Sequence, residues 1–90
     1  MQRLELTVHG AVQGVNFRAA TAAKARELRL TGLVRNEPDG SVIIVAEGPQ
    51  EKLRELLRWA KAGPPAAKVD RHDVNWSAPI GQFEDFSVMS

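Results

Sequence analysis

The sequence predicts an α+β sandwich of element order βαββαβ closed by a short fifth strand, with two helices on one face of an antiparallel sheet. Three observations carry this. Alternating or continuous apolar runs of strand length recur along the chain, and two longer segments show helical spacing instead. Glycine and proline separate them, at Pro38-Asp39-Gly40, Gly48-Pro49 and Gly63-Pro64-Pro65. The resulting order is strand-helix-strand twice over, and such crossovers are right-handed, which puts both helices on the same face.

The first strand, Leu4 to Val8, places Leu4, Leu6 and Val8 on one face and Glu5 and Thr7 on the other, with His9 ending it. The first helix runs from about Phe17 to Leu28, with Phe17, Thr21, Ala25 and Leu28 as its inner stripe. Lys24, Arg26, Glu27 and Arg29 read as a solvated charged face. Thr31 to Asn36 is the second strand and Ser41 to Glu47 the third, joined by the turn chemistry of Pro38-Asp39-Gly40. Val42-Ile43-Ile44-Val45-Ala46 is apolar on both faces and belongs at the centre of the sheet. The second helix, Gln50 to Ala62, buries Leu53, Leu56, Leu57 and Ala60, with Trp59 packing at the edge of that stripe. Gly63-Pro64-Pro65 stops it. Ala67 to Ser77 makes a fourth strand, with Val69, His72 and Val74 as sheet positions and Trp76 as a packing cap. Ala78-Pro79-Ile80-Gly81 is a loop, and Phe83 to Met89 closes the chain. This order is that of the ferredoxin-like fold, which hosts many functions and identifies none.

A chain of 90 residues, 43% hydrophobic and 26% charged, fits one domain over 1–90 with a modest core. The net charge of +1 makes no electrostatic case for nucleic acid or a membrane surface. The absence of cysteine removes disulfides, thiolate nucleophiles and cysteine metal sites. No apolar run approaches the ~20 residues of a membrane span. The start enters a strand containing Glu5, so no signal peptide is expected and a cytoplasmic location is. His9 reads as a strand-end residue more than a base, Asp39 as a turn residue more than an acid, and His72 as structural.

The stretch around which the chain is organised is Val8-His9-Gly10-Ala11-Val12-Gln13-Gly14-Val15-Asn16-Phe17-Arg18. It reads as strand, glycine-framed loop and first helical turn. Such a turn offers unpaired N–H groups and the positive end of the helix dipole, where anions and above all phosphate bind. Glycines let successive N–H groups point inward as a nest, and Arg18 adds a fixed charge with a bidentate fork. Three residues separate Gly10 from Gly14 and no Lys-Ser or Lys-Thr follows, so this is not a Walker A loop. By physics alone it is either an anion site or a tight turn with an ordinary surface arginine.

The same stretch resembles the first signature of the acylphosphatase family, G-x-V-Q-G-V-x-F-R. Gly10, Val12, Gln13, Gly14, Val15, Phe17 and Arg18 fill its fixed positions, while Ala11 stands where arginine is commonest. Gly32-Leu33-Val34-Arg35-Asn36-Glu37-Pro38-Asp39-Gly40-Ser41-Val42, with Gly48 beyond it, resembles the second signature. Leu33 replaces the usual aromatic, at what is expected to be a packing position. The resemblance covers essentially the whole chain.

It implies hydrolysis of an acyl phosphate, a small molecule, to a carboxylate and inorganic phosphate. The phosphate-binding loop would be Gln13, Gly14, Val15, Asn16, Phe17 and Arg18, with Arg18 and Asn36 catalytic. Asn36 would orient the attacking water; without the resemblance it reads as a residue before a turn. No cofactor and no metal is expected, nor a nucleic-acid or membrane partner, and the chain is expected to be a monomer. A non-catalytic anion-binding module on this scaffold is the alternative, and the retention of Arg18 and Asn36 argues against it. A single-stranded RNA binder would need aromatics on strands one and three, which have none.

Overall fold

The computed structural model describes residues 1–89 and has the expected element order: β1 (Gln2–Ala11), α1 (Phe17–Glu27), β2 (Thr31–Asn36), β3 (Val42–Gly48), α2 (Gln50–Ala62), β4 (Lys68–Ser77) and β5 (Phe86–Val88). The sheet order is β4-β1-β3-β2-β5. β3, apolar on both faces, is its middle strand, as the sequence predicts. The pairs β1–β3, β1–β4 and β2–β3 are antiparallel. β5 lies parallel to β2, so the sheet is mixed and the wholly antiparallel expectation is corrected there.

Register decides which residues meet the helices. Leu4, Leu6 and Val8 sit opposite Ala46, Ile44 and Val42, which in turn sit opposite Gly32, Val34 and Asn36. All but Asn36 are buried, beneath α1 and α2. α1 packs over β2 and β5, α2 over β1, β3 and β4. From α1 come Phe17, Thr21, Ala22, Ala25 and the capping Leu28; from α2 come Leu53, Leu56 and Ala60. Leu57 and Trp59 pack partly buried at the margin of that core, and the Trp59 ring lies tilted against Phe17, centroids 5.7 Å apart. Trp76 likewise caps the core edge, opposite Leu4.

Several element boundaries differ from the sequence reading. β1 does not end at His9 but continues through an irregularity between His9 and Gly10 to Ala11. A Cβ on Gly10 would lie 2.2 Å from the carbonyl oxygen of Lys68, so only glycine allows β4 to follow β1 past that point. β3 begins at Val42, since Ser41 is spent on the turn.

β5 is shorter than the predicted Phe83 to Met89 because the chain before it is captured on the open face of the sheet. The buried Glu47 carboxylate accepts hydrogen bonds from the amides of Ile80 (2.8 Å) and Gly81 (3.0 Å) and pairs with Arg3 at 3.0 Å. Arg3 also lies over the Phe83 ring. Arg26, exposed as expected, also donates through Nε and Nη2 to the Phe86 carbonyl and so holds β5 against α1.

Burial opposes the charge on Glu47, but the Ile80 and Gly81 amides and Arg3 outweigh it, and its carboxyl lies below its ordinary value. A depressed carboxyl pKa contributes stability above the unfolded-state value that is lost as pH falls through that value toward the folded one. Glu47→Gln is therefore expected to cost about 1–3 kcal/mol near neutral pH, the range for hydrogen bonds to a charged group. Urea melts should show the gap from the unsubstituted protein narrowing below about pH 4, near the free carboxyl value. A gap independent of pH would mean that the charge on Glu47 is not what matters.

Candidate active site

Where β1 leaves the sheet, the chain must turn back over the sheet within a few residues to start α1. Gly14 (φ 73°) and Asn16 (φ 67°, ψ 21°) both take the left-handed conformation to do this. Asparagine is among the few non-glycine residues that tolerate it. Asn16 is the N-cap of α1, yet its side chain bonds no helix amide. The first helical bond runs from Ala20 N–H to Asn16 C=O, at 3.1 Å. Among the described residues, the consecutive backbone amides from Gly14 to Ala19 therefore have no protein acceptor. These donors are concentrated at the positive end of α1.

The loop borders a cavity of about 180 Å³ walled by Val12, Gly14, Asn16, Arg18, Asn36 and Val88, with Phe17 and Ala19 behind. Among the described residues no acidic side chain lines it, and Arg18 is the one charged side chain on its wall. Arg18 lines this cavity, and one of its guanidinium nitrogens donates to the Met89 carbonyl at 2.7 Å. Phe17, one residue earlier, buries its ring in the core.

Asn36 reaches the cavity because the β2 register puts it on the helix side at the strand's end, next to the start of α1. Its Oδ1 is buried and has no hydrogen-bond partner among the described residues. A buried acceptor without a partner costs about 1–3 kcal/mol, and the residue that carries it lines the cavity.

The remaining loop residues take different places. Val15 packs partly buried against the core. Gln13 turns its side chain away from the cavity: Nε2 donates to the carbonyls of Glu37 (2.8 Å) and Ser41 (2.9 Å). Only its backbone remains available to an anion. That amide straps the loop to the β2–β3 turn and so to Asn36, a role the sequence reading missed. A polar residue in a glycine-framed loop carries no mark of which distant carbonyls it will find.

The residues set aside in the sequence lie off the cavity. Asp39 Oδ1 accepts from the Ser41 hydroxyl at 2.6 Å and its amide at 2.9 Å, which hold the carboxyl below its usual value and close the turn. His9 Nε2 lies 3.1 Å from Asp73 Oδ2 and 3.1 Å from Arg71 Nη2, on the β1–β4 side of the sheet. His72 is half-buried opposite Val8. Among the described residues, no group of three or more His, Asp and Glu side chains is placed to hold a metal ion. Leu33, in the place of the family's aromatic, sits half-buried between Val45 and Ser87.

Residues 4–88 match the family model described as Acylphosphatase. A curated acylphosphatase of Methylococcus capsulatus is 51% identical over 89 residues, covering 99% of this chain and 97% of that one. One from Thermococcus kodakarensis is 46% identical over 87 residues, covering 97% and 94%. The crystal structure of the Bacillus subtilis acylphosphatase superposes with a TM-score of 0.96 at 36% identity, over 100% of both chains. With the glycine-framed loop, Arg18 and Asn36 gathered at one cavity, and with relatives matched from end to end, this chain belongs to the acylphosphatase family.

Proposed function

We propose that the chain is an acylphosphatase whose loop amides and Arg18 hold the phosphoryl group while Asn36 holds the attacking water. The observation that carries this reading is Asn36, its Oδ1 buried and unpartnered among the described residues, on the wall of the same small cavity as Arg18 and the loop with the free amides. A water held there donates a hydrogen bond to Asn36 Oδ1 and keeps a lone pair directed at phosphorus. The new P–O bond forms as the bond to the acyl oxygen breaks. The electron pair leaves with the carboxylate, and both protons of the water end on the inorganic phosphate released.

Charge on the transferring group is spread over its equatorial oxygens, so positioning and fixed positive charge supply most of what the reaction needs. Amides from Gly14 to Arg18 and the guanidinium provide both, so the reading needs neither metal nor cofactor. The leaving carboxylate is the conjugate base of an acid with a pKa near ~4 and needs no general acid. A lack of histidine or carboxylate at the cavity fits that demand. The cavity is built wholly from one chain, and we take the working unit to be a monomer acting on a small acyl phosphate, without a nucleic-acid or membrane partner. No helix among the described residues is long and apolar enough to cross a membrane, and we place the protein in the cytoplasm.

Phosphate release from benzoyl phosphate should be the same with and without EDTA, and inorganic phosphate should inhibit competitively. Loss of activity in EDTA, restored by a divalent cation, would remove the metal-free mechanism.

Asn36→Ala should lower kcat by about 10²–10³, the usual loss on removing one transition-state contact, with the inhibition constant for phosphate nearly unchanged. An unaltered kcat would leave Asn36 as a strand-end residue and nothing more.

Arg18→Ala should raise the phosphate inhibition constant and also lower kcat, because its contact tightens as charge spreads. Arg18→Lys should rescue little. The guanidinium must bond Met89 with one nitrogen and still present others to the cavity, and a lysine point charge cannot do both. Near-normal activity of the lysine variant would show that charge alone suffices.

A further inference from the structure

We propose that the side chain of Asn16 donates a hydrogen bond to the acyl carboxylate as it leaves, making it a third polar contact with substrate. The inference rests on the acylphosphatase reading above and extends it to the leaving group.

Asparagine at an N-cap ordinarily adopts an extended backbone, and its side-chain oxygen accepts from an amide of the first turn. Asn16 does neither. It is left-handed, and its side chain makes no cap hydrogen bond. The first-turn amides thus stay free, and so does the Asn16 carboxamide, which has no partner among the described residues. The residue is exposed and on the cavity wall, whereas Oδ1 of Asn36 is buried.

Among the described residues three polar side chains stand on that wall: Asn16, Arg18 and Asn36. Arg18 serves the phosphoryl oxygens and Asn36 the water. In-line displacement puts the leaving oxygen on the far side of phosphorus from the water. With the water at the buried Asn36, the acyl group lies toward the open rim, where Asn16 is. As the P–O bond breaks, its electron pair goes to the acyl oxygen. An amide N–H directed there strengthens its bond as that charge grows, and no proton has to be transferred.

The test separates side chain from backbone. Asn16→Gly keeps the left-handed conformation at no steric cost and removes the carboxamide. Wild type and variant are assayed on benzoyl phosphates whose ring substituents raise or lower the acidity of the benzoic acid released. Loss of one hydrogen bond to a charged oxygen predicts about a tenfold or greater fall in kcat/KM for the variant. The fall should grow as the leaving acid becomes weaker. The inhibition constant for inorganic phosphate, which has no acyl group, should stay within about twofold, a change of less than ~0.5 kcal/mol.

A variant equal to wild type on every substrate would make Asn16 a conformational device and overturn the proposal. So would a loss uniform across the series and matched by weaker phosphate inhibition, which would assign the side chain to the phosphoryl cradle. Either outcome, with an active wild type, leaves the acylphosphatase reading standing. A wild type that does not hydrolyse these substrates overturns both.

Discussion

The site depends on backbone amides that the fold leaves unpaired. A helix start exposes its first amides in any protein, and most helices cover them with a capping side chain or with water. Here the loop from Val12 to Asn16 turns in two left-handed steps, at Gly14 and Asn16, and delivers the chain to α1 without a cap. The loop that carries the free donors from Gly14 to Ala19 then borders a cavity whose described wall has one guanidinium and no acidic side chain. Removing that arrangement would leave a surface arginine beside an ordinary strand-to-helix turn.

Much of the remaining structure holds that loop in register with what it must act beside. Gln13 ties it to the carbonyls of Glu37 and Ser41, on either side of the turn that follows Asn36. The hydroxyl and amide of Ser41 bind Asp39, so that turn is itself fixed. On the other side, β5 supplies Val88 to the cavity wall, and Met89 just beyond it accepts from Arg18. β5 has only three residues and lies at the sheet edge, so pairing with β2 alone would hold it weakly. Arg26 and Glu47 compensate: one binds the Phe86 carbonyl, the other captures the chain at Ile80 and Gly81. Side chains far from the cavity thus determine where its wall and its arginine stand.

Strand register carries the same dependence. Asn36 lies on the helix side of β2 only because β2 pairs with β3 as Val34 to Ile44 and Asn36 to Val42. Side-chain direction alternates along a strand, so a slip of one residue would turn Asn36 to the open face and put Arg35 beside α1. The apolar residues Val34, Val42 and Ile44, all fully buried, penalise that slip, so the core that stabilises the sheet also aims Asn36 toward the cavity it lines.

By itself the sequence determined the order of elements, the central place of β3, the buried stripes of both helices, and the glycine-framed loop ending in Arg18 that carries the family's signature. Each of these is written in local signals: apolar period, glycine and proline punctuation, and two long motifs with fixed spacing. Tertiary structure alone decided the parallel pairing of β5, the continuation of β1 through Gly10, the double bond made by Gln13, and the use of Arg26 and Glu47 as anchors. Those depend on partners dozens of residues away, and a charged or amide side chain looks the same in sequence whether it meets water or a distant carbonyl. The meeting of Asn36 with the loop belongs with them, since bringing residues 16 and 36 to one cavity takes a sheet register and a helix crossover that no local pattern encodes.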